Sequence, residues 1–421
     1  MRRSATVALA ATTLVLAGCA GTTEADQASG GSGDGEIAAA PGFDPASKTI
    51  TVAAMYPISG AFANTIQDVV GMRAYFERAT AGGGILEGYT VEVESPDTPF
   101  DVSGAIPIYQ QIKDDVAIIA VLGGFIADGL PLEDDDKLAV VPLTTSTDDP
   151  TILPVYPTYE TFGANSVAWN AEQEGGQDDV YCTLKMDGPI GDQTEFGVEY
   201  AAQELGVRYG GSASFPAPNP SDVTAQIVTL RDAGCTEITV AGVFVMQQAA
   251  ARAAQLGWEP HWTALGTTYV SDIATGTAAD YIQENVSFLF TGSDWEDSSV
   301  EGQVDLVEDV ESVEPGTPPA LVTYETGYIT GMVMAAVIRQ AIDDGDMSPA
   351  GLLAASNAVG NVDMLGLGGG GYDYGSGPDD RQPPRAVTFY EVTDETEQGV
   401  RAVETGFTSP AGDSVGLFYE Q

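Results

Sequence analysis

The chain has 421 residues, with 62 Asp or Glu against 15 Lys or Arg and a net charge of −47 at pH 7. That excess excludes a general binder of nucleic acid or of anionic membrane surfaces, and 43% hydrophobic residues exclude wholesale disorder. One histidine (His261) and three cysteines (Cys19, Cys182, Cys235) leave a His-dependent triad one possible base and a His/Cys zinc site short of ligands, so binding is expected rather than catalysis, with no metal and no cofactor.

Arg2 and Arg3 precede an apolar run from Ala5 to Leu16 that closes on Leu16-Ala17-Gly18-Cys19. A basic start, a short apolar stretch and small residues at its end describe a secretory signal over residues 1–18, too short to span a membrane. Cys19 after the small residues resembles the lipobox of bacterial lipoproteins, which implies acylation there and a lipid anchor on the outer face of the cytoplasmic membrane. Residues 19–47, small and polar with many Gly and Ser, cannot bury enough surface to offset their ordering entropy and read as a disordered tether.

From Thr49 strands and helices alternate. Thr49–Tyr56 reads as a buried strand, Ala63–Thr80 as a helix and Tyr89–Ser95 as a strand. Ala105–Lys113 follows as a helix, with strands at Val116–Leu122 and Ala139–Leu143 around a short helix near Leu132–Lys137. Such alternation predicts a parallel sheet covered on both faces. A second series has strands at Val180–Lys185, Arg208–Phe215, Glu237–Val243, His261–Gly266 and Val286–Phe290. Its helices carry cap signals: Ser221 as N-cap and Gly234 as the closing glycine of one, Gly257 at the end of another.

After Phe290 come helices near Val300–Val313 and Leu321–Ile342, Gly-rich turns and a strand at Ala386–Val392. The fold class is therefore α/β, two doubly wound parallel-sheet lobes joined by hinge strands. Lobe 1 is expected over 48–162 plus about 293–347, and lobe 2 over 163–292 plus about 348–421. Candidate crossings are Glu160–Ala164, Leu289–Ser293 and Asp346–Leu352.

The wording of several segments is then informative. Tyr56-Pro57-Ile58-Ser59-Gly60-Ala61-Phe62, Gly82-Gly83-Gly84-Ile85 and Pro96-Asp97-Thr98-Pro99 resemble the opening of the branched-chain-amino-acid type of periplasmic binding protein. Val141–Thr147 resembles that family's loop after a first-lobe strand, and Tyr324-Glu325-Thr326-Gly327-Tyr328 its helix returning to lobe one. The resemblance implies a type I bilobed, monomeric solute-binding protein that closes on a small molecule and delivers it to an ABC-transporter permease. Branched-chain amino acid binding proper and a ligand sensor serving a signalling receptor are the alternatives, and an exported α/β enzyme a more distant one.

In open α/β sheets ligands bind beyond the carboxyl ends of strands. Together with the resemblance this selects Tyr56, Ser59, Phe62 and Thr65 after the first strand, Gly124 and Phe125 after the third, and Thr145, Ser146 and Thr147 after the fourth. In the second lobe it selects Phe244, Thr267 and Tyr269. The loop Gly123–Ala127 lacks the hydroxyls with which the family holds a ligand carboxylate, and Thr267 stands where an acid would pair with the ligand ammonium. Burying either charge of a zwitterion unpaired costs several kcal/mol, roughly. An apolar, aromatic or neutral ligand is therefore expected unless Glu195 supplies the missing charge.

Cys182 and Cys235 can form a disulfide in an exported chain, with two buried thiols as the alternative. Glu133–Asp136 and Asp343-Asp344 lack the spacing of a calcium loop and read as solvated charge. Gly366–Gly371 opens no helix and so is no dinucleotide loop.

Overall fold

The apolar runs of the first series become the strands of one sheet and those of the second series the strands of another. The computed structural model describes residues 37–143, 149–216, 222–270, 272–316, 319–369, 371–377 and 381–416. Cys19, Thr145, Ser146, Thr147 and Ser221 lie outside them. The first sheet is built from β1 (Phe43–Asp44), β2 (Thr49–Met55), α1 (Ile66–Thr80), β3 (Thr90–Glu94), α2 (Val102–Ile112), β4 (Ile119–Val121), α3 (Gly124–Ala127), β5 (Ala139–Val141) and β6 (Ile152–Pro154). Its order is β3-β2-β4-β5-β6, all parallel, with β1 antiparallel against the first residues of β2. Val52, Ala54, Ala120 and Val140 are fully buried, as strands covered on both faces require.

The chain then enters α4 (Tyr159–Glu172), β7 (Val180–Met186), α5 (Pro189–Leu205), β8 (Arg208–Phe215), α6 (Thr224–Ala233), β9 (Glu237–Ala241), α7 (Met246–Gln255), β10 (His261–Leu265), α8 (Ala279–Asn285) and β11 (Val286–Phe290). After these come α9 (Glu301–Val313), α10 (Thr323–Asp344), α11 (Pro349–Ala358), the short pair β12 (Asn361–Val362) and β13 (Tyr372–Asp373), then β14 (Val387–Val392), β15 (Val400–Phe407) and α12 (Pro410–Ser414). The second sheet runs β15-β14-β11-β10-β9-β7-β8, parallel from β8 to β11 and antiparallel at β14 and β15. This is the expected architecture of two mostly parallel sheets with helical layers.

Some local expectations fail for physical reasons. The tether expected over 19–47 does not reach its predicted end, because Phe43 is buried in the core and β1 pairs with β2. Glu160–Ala164, expected as a crossing, lies inside α4. That helix is buried on nearly every side, so no amphipathic stripe marks it in the sequence. Its polar residues are paired inward: Ser166 with Thr239 at 2.7 Å, and Asn170 donating to Thr263 at 2.8 Å. Helix α6 starts at Thr224, with Val223 at the cap position and no side-chain cap; Asp222 instead accepts from the Thr224 backbone at 3.0 Å. Its other end is as expected, with Gly234 left-handed at φ 79°, a conformation glycine adopts without steric cost.

At Asp346–Leu352 the chain turns from α10 into α11, which packs back on α10. Beyond it Tyr374 donates to the Pro154 carbonyl at 2.8 Å and buried Arg381 to that of Ile152 at 2.5 Å. Tyr374 and Arg381 thus stay beside the first sheet, and the passage to β14 falls after Arg381.

Helices α1 and α10 lie against one another at backbone distance. A Cβ on Gly71 would sit 2.0 Å from the Tyr324 carbonyl oxygen, and one on Gly327 only 1.7 Å from that of Asp68. Cys182 of β7 and Cys235 before β9 form a disulfide with Cα atoms 5.9 Å apart. Among the described residues no helix is long and apolar enough to cross a membrane.

Candidate ligand-binding cleft

Residues that follow β2, β4 and β5 in one sheet and β9, β10 and β11 in the other line a single cavity. Its volume is about 130 Å³, below the roughly 300–1,000 Å³ usual for small-molecule sites. Phe62 and Leu122 stand on the first-lobe side, Val243, Phe244 and Phe290 on the other, with Leu321 and Val322 from the turn before α10.

Aromatic rings join the two sides at one edge. Phe62 lies with its ring centre 5.4 Å from that of Phe244 and 4.9 Å from Phe100, and Phe100 meets Phe125 edge-on at 5.1 Å. Such pairs each contribute about 0.5–1.5 kcal/mol beyond their burial. Three wall residues, Leu143 (φ 58°), Phe244 (φ 52°) and Leu321 (φ 49°), occupy the left-handed region. Each carries strain on the order of 1–2 kcal/mol that the surrounding structure must hold.

The polar lining is sparse and mostly engaged. Thr65 donates its hydroxyl to the Pro57 carbonyl at 2.6 Å, Thr267 to Gly242 at 2.6 Å and Thr326 to Val322 at 3.0 Å. Thr323 donates to Gln67 at 2.5 Å. These hydroxyls retain only accepting capacity toward a guest. No Lys, Arg or His is among the described lining residues. The lining carboxyl is Asp68, on the first turn of α1 and 3% exposed. Burial pushes it well above the usual carboxylate range, since an unpaired charge in an apolar wall is disfavoured.

Of the expected site residues, Phe62, Thr65, Phe244, Thr267 and Tyr269 line this cavity. The Tyr269 hydroxyl reaches the Gln398 carbonyl at 2.6 Å, and the Gln398 amide donates to the Leu321 carbonyl, so this side chain braces the turn before α10. Tyr56 is fully buried outside the lining, Ser59 is exposed ahead of the 3₁₀ turn Gly60–Thr65, and Gly124 is buried with its N–H on the Leu143 carbonyl at 3.1 Å. Phe125 stands one layer back, behind Phe100. Thr145, Ser146 and Thr147 fall outside the described residues.

The expected set left out Asp68, Phe100, Tyr159, Phe290 and the turn 320–323. Asp68 was discoverable: it sits on the first turn of the helix after the first strand, an end that faces the cleft in such sheets. Glu195 supplies no charge here, being paired with Lys185 at 2.5 Å and with the Tyr209 hydroxyl at 2.8 Å. His261 begins β10, at the strand end away from the cavity, between Glu237 at 2.8 Å and Ser287 at 3.1 Å. Asp135, in the acidic run, is tied to Lys113 and to the Tyr109 hydroxyl. Among the described residues no cluster of three or more His, Cys, Asp or Glu is arranged to hold a metal.

A family model described as periplasmic binding protein matches residues 49–398. Among solved structures, the chain is similar to a fatty acid ABC transporter substrate-binding protein from Thermomonospora curvata, with 20% identity, 90% of this chain and 96% of that one covered, and a TM-score of 0.78. It is also similar to a branched chain amino acid ABC transporter protein from Thermus thermophilus with bound valine (13% identity, 88% and 98% covered, TM-score 0.72). A leucine binding protein from Thermotoga maritima shares 16% identity over 84% and 97% of the two chains, with a TM-score of 0.69. Comparison with curated sequences finds no significant match.

Proposed function

Because the chain belongs to the periplasmic binding protein family, we propose that it is the extracytoplasmic solute-binding component of an ABC importer. It captures a predominantly apolar small molecule and releases it unchanged. Acylation at Cys19 tethers it to the outer face of the cytoplasmic membrane, and the two lobes hinge at 155–158, 291–293 and 382–386. Closure brings Phe244 onto Phe62 and excludes water from the guest.

The observation that carries this reading is the wall chemistry: aromatic and aliphatic side chains, hydroxyls already donating to the protein, and no cation in the described lining. An α-amino acid would leave its carboxylate without a counter-charge there, at a cost of several kcal/mol, roughly. The similar protein from Thermomonospora curvata, described as serving fatty acids, agrees with an apolar guest. Calorimetric titration against leucine, isoleucine, valine and medium-chain aliphatic compounds tests the reading. Saturable binding of the aliphatic compounds is expected; tight binding of the amino acids alone would overturn it.

A further inference from the structure

Asp68 is the third residue of α1, and its backbone is fixed by the contact with Gly327 of α10. Its carboxyl is therefore placed by two packed helices rather than by a loop. It lines the cavity, no cation among the described residues acts on it, and its polar neighbours are the buried hydroxyls of Tyr56 and Tyr156, neither of which is hydrogen-bonded to it. The carboxyl faces a void whose threonines have already donated their protons elsewhere. A carboxyl in such surroundings stays uncharged, and an uncharged carboxyl offers one O–H donor beside one carbonyl acceptor.

We propose that Asp68 is the polar anchor of the cleft, exchanging a pair of hydrogen bonds with the carboxamide or undissociated carboxyl head of a ligand whose hydrocarbon body lies against Phe62, Phe244, Phe290 and Leu321. This rests on the apolar-ligand reading above and names the head group that such a ligand carries. A carboxylic acid presents one acceptor and one donor in a plane and pairs with the neutral Asp68 reciprocally; a primary carboxamide makes the same pair and keeps its second N–H for another acceptor, such as a lining threonine oxygen. An ammonium head brings three N–H donors and a charge, and the desolvation of a buried ion pair offsets most of its attraction.

The test titrates the full chain with octanamide, octanoic acid and octylamine by calorimetry, for the natural protein and for Asp68→Ala, Asp68→Asn and Phe244→Ala. Octanamide binding is expected to weaken at least about tenfold in Asp68→Ala and to stay within about threefold in Asp68→Asn, whose amide also sets an N–H donor beside a carbonyl acceptor. Octylamine is expected to bind at least about tenfold more weakly than octanamide. Thermal melts establish that each variant is folded, and Asp68→Leu replaces Asp68→Ala if the smaller side chain unfolds the helix pair.

Unchanged octanamide affinity in the Ala or Leu variant overturns the anchor. So does octylamine binding tightest and being lost in Asp68→Asn, which would show an ionised acid pairing a cation. If Phe244→Ala weakens octanamide while Asp68→Ala does not, the apolar cleft stands and the anchor alone falls. If none of the three probes binds, both fall.

Discussion

Replacing Glu325 by Gln gives a pH-dependent signature whose sign and size follow from its surroundings. Glu325 lies on α10 and is 3% exposed. It accepts from the Gly368 N–H at 3.0 Å, with the Ser293 backbone N–H also favouring its charged form, and a Cβ on Gly292 would lie 2.3 Å from its Oε2. Burial pushes its carboxyl from 4.5 up to about 7. Near it are Tyr156, Tyr372 and Tyr390, whose hydroxyls burial holds far above the neutral range, so they do not titrate in the window.

The folded chain thus holds a proton that the unfolded chain gives up once pH exceeds 4.5. The associated stability is complete below that value and is lost as pH rises through about 7. At ~1.4 kcal/mol per tenfold change in proton affinity the loss amounts to roughly 3 kcal/mol. Asp68, Glu160 and Asp294, also raised by burial, slope the same way in both proteins and cancel in the difference. Urea unfolding of the natural chain and of Glu325→Gln from about pH 5 to about pH 8 measures it. The variant gains on the natural protein by roughly 3 kcal/mol across that range, whatever fixed offset its altered hydrogen bonds impose. A stability difference flat with pH would refute the reasoning.

The disulfide closes a sequence separation of 53 residues, so removing both cysteines should cost about 4 kcal/mol; denaturant unfolding with and without reductant checks this, and the double variant should show no response to reductant. Gly327→Ala places a methyl 1.7 Å from the Asp68 carbonyl oxygen and should destabilise by about 3 kcal/mol or more as α1 and α10 separate, read as a lowered thermal midpoint. Phe244→Ala removes the ring that meets Phe62 across the cleft and should weaken an apolar ligand about tenfold by calorimetry, with little change in the thermal midpoint of the ligand-free protein.

The alternation of apolar runs with helical segments made both sheets legible, because parallel strands buried on two faces cannot avoid being continuously apolar. Cap glycines such as Gly234 were equally legible. Helix α4 was not: it is enclosed by α5, α12 and the second sheet, and a helix buried all round loses the periodicity that betrays a surface one. The site divided in the same way. Phe62, Phe244 and Tyr269 follow strands and could be placed by topology, whereas Phe290 and the turn at 320–323 reach the cavity through packing between distant segments, which spacing along the chain does not encode. The apolar walls around Asp68 come from both lobes, so its isolation from any cation emerges only once the fold has brought them together.

The left-handed backbone at Leu143, Phe244 and Leu321 restricts how this protein can change its guest. A β-branched side chain at any of the three would clash with its own main chain, and glycine would relieve the strain while deleting a wall. Ile190 and Val243 also border the void and carry no such restriction. Divergence toward a new solute is therefore cheaper through those two positions, with the strained trio persisting as a frame that successive ligands share.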